Sequence, residues 1–163
     1  MTDITEATVQ DVDDVGGFIK ELWAAAGPGA PGLTGATEEI IEEISRPEMI
    51  TGRLGGPDRR IFLARDREVV VGFAATRRID AEAVELAGIM VHPDSQGGVG
   101  TPLLEMAALA MRSDGYRRMV VHTETDNVAA LRFYRKRGFL PTRELVEAVE
   151  GTPVDVAELE LEL

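Results

Sequence analysis

Apolar positions along the chain follow two periodicities that alternate. Ile4 to Thr8 reads as a short strand, after which Val12, Val15, Ile19, Leu22, Trp23 and Ala26 recur at helical spacing and form one apolar face. Thr8 is placed to cap that helix, and Asp11, Asp13 and Asp14 suit the positive end of its dipole. Gly16-Gly17 inside it costs about 1 kcal/mol per glycine relative to alanine, so packing must hold the helix. Gly27-Pro28-Gly29-Ala30-Pro31-Gly32 cannot continue it and reads as a loop. Thr37-Glu38-Glu39 then opens a second helix with Ile40, Ile41 and Ile44 on its inner side.

The middle of the chain turns to strands. Ile61–Arg65 and Val69–Thr76 read as a hairpin across Asp66-Arg67-Glu68, and a turn at Asp80–Ala83 leads into a strand over Val84–Val91. After a glycine-rich loop, Thr101 and Pro102 read as N-cap and first helical residue, with Leu103, Leu104, Ala107, Ala108 and Met111 as the buried stripe and Gly115 as the stop. A strand at Met119–Thr123, a helix at Asn127–Arg137 ended by Gly138, and strands near Phe139–Val146 and Val154–Leu163 complete the chain. The order β-α-α-β-β-β-α-β-α-β-β predicts a mixed α/β sheet in a single domain over residues 1–163, without internal repeats.

Composition narrows the chemistry. The 163 residues contain no cysteine, which excludes a disulfide scaffold, a thiolate metal site and a covalent cysteine intermediate. The two histidines, His92 and His122, stand thirty residues apart, so no metal site is expected. A formal charge of −12 argues against nucleic acid as a partner. No apolar run approaches the roughly 20 residues of a membrane span, and the acidic N-terminus is no signal peptide, so a soluble cytoplasmic protein without a membrane partner is expected.

Charge is also unevenly placed. Residues 1–50 carry eleven acids and two bases, residues 51–140 eleven and fourteen, and residues 141–163 seven and one. An acidic head and tail thus flank a mildly basic middle. This is either a compositional bias or two sites of opposite preference, one for an anion and one for a cation.

Two clusters carry candidate chemistry. In His92-Pro93-Asp94-Ser95-Gln96-Gly97-Gly98-Val99-Gly100-Thr101-Pro102 a strand enters a loop with three glycines that opens a helix. Glycines admit a ligand close to the backbone, and the helix N-terminus offers N–H donors and a positive dipole, which is the construction of a phosphate cradle. It is not a P-loop, since no lysine follows the glycines, nor a dinucleotide fingerprint, since Leu103 stands where the third glycine belongs. A ligand-free strand-to-helix turn is the alternative. In the second cluster, Asn127 opens a helix that presents Phe133 and Tyr134 and ends at Gly138-Phe139. Its basic run Arg132, Arg135, Lys136, Arg137 is either a solvated face or an attraction for polyphosphate.

Together, in this order, the clusters resemble the GNAT superfamily of acyl-CoA-dependent N-acyltransferases. The family pattern is V-x-P with an Arg/Gln-x-x-Gly-x-Gly/Ala loop, then N-x-x-A-x-x-F/L-Y-x-x-x-G-F. Val91, Pro93, Gly98, Gly100, Leu103 and Leu104 match the first part, and Asn127, Ala130, Phe133, Tyr134, Gly138 and Phe139 the second. One departure is that the loop is a residue shorter between Gln96 and Gly98, and Pro102 removes one N–H from the helix start.

The resemblance implies a mostly antiparallel sheet of about seven strands flanked by four helices, and acetyl transfer from acetyl-CoA to a primary amine by direct attack in a ternary complex. It implies Tyr134 as the general acid for the departing thiolate, with packing against the pantetheine arm as its other reading. Glu85 is implied as general base, directly or through a water, the alternative being a surface carboxylate at a strand start. The carbonyl oxygen would meet a main-chain N–H near Met90 or Val91, and the pyrophosphate would meet Gln96, Gly97, Gly98, Val99, Gly100 and Thr101. Asn127 and Ala130 are expected beside the cofactor, and His92 as a proton relay is a further possibility. The acceptor would lie among the first helices, their loop and the last strands, and the net charge of −12 favours a cationic small molecule. A protein N-terminus or lysine as acceptor, and a non-catalytic acetyl-CoA sensor, are the alternatives. A homodimer is also expected, joined through an edge offered by the C-terminal strand Glu158–Leu163.

Overall fold

The computed structural model describes residues 2–27, 36–54, 56–95, 97–149 and 151–163. The strands are β1 Thr2–Glu6, β2 Arg59–Asp66, β3 Val69–Arg78, β4 Ala83–Val91, β5 Arg118–Glu124, β6 Leu140–Val149 and β7 Thr152–Glu162. The helices are α1 Val12–Ala26, α2 Glu38–Ile44, α3 Pro47–Thr51, α4 Gly100–Ser113 and α5 Val128–Lys136. Hydrogen-bonded neighbours run β1-β2-β3-β4-β5-β7-β6 in a seven-stranded sheet. The expected α/β fold is therefore found, with α1, α2, α4 and α5 as the four helices read from the sequence and a short α3 added to them. The chain groups into two compact units, residues 1–77 with 88–107 and residues 78–87 with 108–163.

In the first unit, α1 buries Val12, Val15, Phe18, Ile19 and Leu22 against Ile41, Ile50, Leu63 and Phe73. Phe18 meets the Phe73 ring edge-on at 5.8 Å. The helix begins as expected: Thr8 caps a 3-10 turn over Val9–Asp11 that runs into α1, and Asp11 returns the bond to the Thr8 N–H at 2.8 Å. Gly16 has a packing reason, because a Cβ there would lie 2.6 Å from the Ser45 carbonyl oxygen, whereas one at Gly17 would meet nothing within 4 Å. The β2–β3 hairpin closes on Arg67 and Glu68, both at positive φ (49° and 70°), the twist that a two-residue turn between antiparallel strands requires. Residues 28–35 of the expected acceptor loop lie outside the described residues.

In the second unit, β4 and β5 run parallel with Ala83, Val84 and Glu85 opposite Arg118, Met119 and Val120. β7 pairs antiparallel with β5 on one side and β6 on the other. This narrows the expectation that the C-terminal strand Glu158–Leu163 offers an edge to a second copy: β7 is paired on both sides as far as Glu160, and Leu161 and Glu162 continue the pairing with β5.

Candidate active-site residues

The glycine loop lies in the first unit. His92 anchors its start, since its N–H donates to the Val71 carbonyl at 2.8 Å and its Nδ1 accepts from the Asp94 N–H at 3.2 Å. That role shapes a turn over Pro93–Ser95. The helix begins two residues earlier than its sequence indicates. Gly100 is its first residue, and the Val99 carbonyl accepts from the Leu103 N–H at 3.2 Å. Thr101 is therefore inside the helix rather than its N-cap, and Pro102 is its third residue. The cause is Val99, whose buried side chain lies 3.3 Å from where a Gly72 Cβ would sit and so belongs to the core. Only its backbone faces the loop.

Gly97 requires glycine for its conformation, with φ at 103°. Gly98 does not, and a Cβ on either residue would meet no protein atom within 4 Å. Packing therefore gives Gly98 no reason to be glycine, and the space beside it admits a group that approaches the backbone. No acidic side chain occupies the first turn of α4, whose N–H groups point out of the helix end. Gln96 lies outside the described residues. Met90 and Val91, both half-buried, end β4 just before the loop. The Met90 carbonyl sits 2.9 Å from where a Gly72 Cβ would be, so Gly72 lets this strand end close in on β3. No motif distinguishes Gly72 from any other strand glycine.

Tyr134, Glu85, Asn127 and Ala130 lie in the second unit. Asn127 caps α5, its Oδ1 accepting from the Ala130 N–H at 3.1 Å. The helix closes at Gly138, φ 94°, with Gly138 N–H bonded to the Arg135 carbonyl and Phe139 N–H to the Tyr134 carbonyl, both at 3.1 Å. This pair of bonds is a Schellman turn, and it explains the G-F at the end of the second cluster. Tyr134 is buried, edge-on to both Phe133 and Phe139 with centroids 5.4 Å apart. Burial pushes its phenol up to about 12, so it keeps its proton at neutral pH. From the basic run, Arg137 stacks on the Phe133 ring at 3.7 Å and bonds the Phe133 carbonyl at 2.8 Å, which ties it to its own helix.

Glu85 is not a solitary carboxylate. Its Oε1 is 3.5 Å from His122 Nδ1, and His122 Nε2 is 2.9 Å from Glu158 Oε2. Glu158 is buried and receives bonds from Arg143 Nε and Nη2, each at 3.1 Å, and from Thr142 Oγ1 at 3.0 Å. Arg143 foremost, with His122 and Thr142, holds its carboxyl down to about 2 against the opposing effect of burial. Neither His122 nor Glu158 stands in a motif, and their cross-strand pairing joins residues 36 positions apart. Among the described residues no cluster of three or more acids and histidines is arranged to hold a metal ion, and no helix is long and apolar enough to cross a membrane.

A model of the acetyltransferase (GNAT) family matches residues 21–139. The chain belongs to that family. Its fold is similar over 100% of its length to PaiA N-acetyltransferase of Thermoplasma acidophilum in complex with coenzyme A, with 99% of that chain covered, 21% identity and a TM-score of 0.74. It is similar over 99% of its length to ribosomal-protein-S18-alanine N-acetyltransferase of Escherichia coli, with 94% of that chain covered, 18% identity and a TM-score of 0.73. In sequence it is 38% identical over 87 residues to the mycothiol acetyltransferase of Amycolatopsis mediterranei, a match covering 48% of this chain and 29% of that one. The chain spans a third or less of the length of the curated relatives it matches.

Proposed function

We propose that the protein transfers the acetyl group of acetyl-CoA to a primary amine by direct attack, with both substrates bound together. Family membership supports the reaction class, and the observation that carries the assignment of roles is Tyr134, a buried phenol kept protonated to about 12 and fixed by the turn that follows it. The first unit supplies the cofactor cradle. Gly97, Gly98, Gly100 and Thr101 would hold the pyrophosphate through backbone N–H groups, together with the N–H of Val99, and the open space beside Gly97 and Gly98 fits a phosphate close to the chain. When bound, acetyl-CoA supplies the activated acetyl thioester.

The second unit supplies the proton chemistry. An amine with a pKa of about 10 must lose a proton before it can attack. Glu85, held beside His122, is the base that takes it. Tyr134 Oη carries the proton that a departing thiolate needs. A main-chain N–H near Met90 or Val91 is the donor for the carbonyl oxygen, where charge develops in the transition state. The absence of cysteine is consistent with transfer without an enzyme thioester.

Glu85, Glu147 and Glu158 gather acidic charge in this unit, and with the net charge of −12 they favour a cationic acceptor such as a polyamine, an aminoglycoside or a lysine-like amine. Any dimer built by sheet extension has to use β1 or β6, the outer strands of the order β1-β2-β3-β4-β5-β7-β6. Calorimetric titration with acetyl-CoA, followed by thiol release with amines of each charge class, tests the proposal. Turnover fastest with a polycationic amine is expected. Binding without turnover of any amine would make the protein a sensor, turnover only with peptides would make it a protein acetyltransferase, and no binding would overturn the reading.

A further inference from the structure

We propose that His122 carries away from Glu85 the proton given up by the acceptor amine, passing it through Nδ1 to Glu147 and from there to water. The proposal rests on Glu85 being the base. Glu85 stands opposite Val120 on β5, and strand alternation puts His122, two residues on, on the same face. Glu158 of β7 is the cross-strand partner of His122. The imidazole is therefore set among carboxylates from three strands: Glu85 of β4, Glu147 of β6 and Glu158 of β7. Arg143 of β6 is the cation facing the group, and it is engaged by Glu158.

These carboxylates are not equivalent. Glu158 takes Nε2 at 2.9 Å and is itself gripped by Arg143 and Thr142. It stays ionised, accepts the Nε2–H and leaves Nδ1 as the basic nitrogen, the orienting role that the third member of a nucleophile–base–orienter set plays. Nδ1 is 3.5 Å from Oε1 of Glu85 and 3.5 Å from Oε1 of Glu147. Their side chains differ in exposure, at 13% for Glu85 and 44% for Glu147, with His122 between them at 25%. A proton on Glu85 has little direct access to water, whereas one on Glu147 is in water.

The balance is simple. An N–H bond of the ammonium breaks as an O–H bond forms on Glu85, and that proton moves to Nδ1 to give an imidazolium held between anions. Nδ1 then releases it to Glu147, and the imidazole is neutral again for the next turnover. The 3.5 Å separations are longer than tight hydrogen bonds, and contacts of this kind shorten when substrate is in place. His122 is a positioning and proton-exit residue, because it acts on the amine only through Glu85.

With only two histidines in the chain, nitrogen-15 NMR of the ring nitrogens reads the arrangement in the protein alone. The neutral His122 ring should carry its proton on Nε2, Glu158→Gln should abolish that preference, and Glu85→Gln and Glu147→Gln should each move the Nδ1 signal. A proton on Nδ1 in the wild type overturns the proposal. In thiol-release assays with acetyl-CoA and spermidine, His122→Gln should lower kcat about tenfold, leave the KM for acetyl-CoA unchanged, and recover with added imidazole. An unchanged kcat, or a loss that imidazole does not restore, overturns the relay. Full activity in Glu85→Gln removes the base itself, whereas a loss in Glu85→Gln beside an unaffected His122→Gln removes only the relay.

Discussion

Phe139 folds back onto Tyr134: its N–H donates to the Tyr134 carbonyl at 3.1 Å, and the two rings meet edge-on with centroids 5.4 Å apart. The contact depends on Gly138, whose φ of 94° turns the chain after α5. An alanine there pays the left-handed penalty, while its Cβ meets only the flexible end of Leu161 at 3.2 Å. Gly138→Ala should therefore lose about 1–2 kcal/mol of stability, measured by denaturant unfolding. A loss below a few tenths would mean that the turn relaxes at no cost.

Two other glycines separate packing from ligand binding. A Cβ on Gly72 would lie 2.9 Å from the Met90 carbonyl and 3.1 Å from Leu103 Cδ1, so something must shift, whereas one on Gly98 has open space. Gly72→Ala should lower the melting temperature and weaken acetyl-CoA binding together. Gly98→Ala should leave the melting temperature unchanged and still weaken binding by roughly tenfold. Unaltered affinity in Gly98→Ala would show that the loop is only a turn.

The paired glycines of α1 should respond in opposite directions. Gly17→Ala should stabilise the protein by about 1 kcal/mol, because alanine suits a helix and the site is open. Gly16→Ala should destabilise it, because the new Cβ would lie 2.6 Å from the Ser45 carbonyl oxygen. Equal effects in thermal unfolding would contradict this difference.

Glu158 sets an acid limit. Its carboxyl is lowered from 4.5 to about 2, first by Arg143, so its contribution is complete above the unfolded value and is lost as pH falls toward 2. At most this amounts to about 3 kcal/mol. Urea midpoints taken between pH 5 and 2 should fall more steeply for the wild type than for Glu158→Gln. Parallel slopes would show that the network does not hold the carboxylate ionised.

Local signals carried most of the fold into the sequence. Thr8, Asn127 and Gly138 mark helix ends because capping chemistry is set by residues within one turn. Pro47–Thr51 escaped, since five residues are too few to display a period. The start of α4 lies two residues before the one its sequence indicates, because burial of Val99 beside Gly72, a tertiary contact, outweighs the local N-cap signal of Thr101. The inner position of β7 is also set by pairing with residues far along the chain. For the same reason Tyr134 and Glu85 could be picked out by position in a motif or strand, while the surroundings of Glu85 could not: His122 and Glu158 reach it across strands.

Thiol release from acetyl-CoA, with the wild type and Tyr134→Phe compared on the fastest amine of a charged, neutral and acidic panel, tests the proposed reaction most directly. The expected result is turnover by the wild type, and in Tyr134→Phe a fall in kcat of about a hundredfold at an unchanged KM for acetyl-CoA. Equal kcat in the two proteins would contradict the acid role of Tyr134, and no thiol release with any amine would contradict the enzyme.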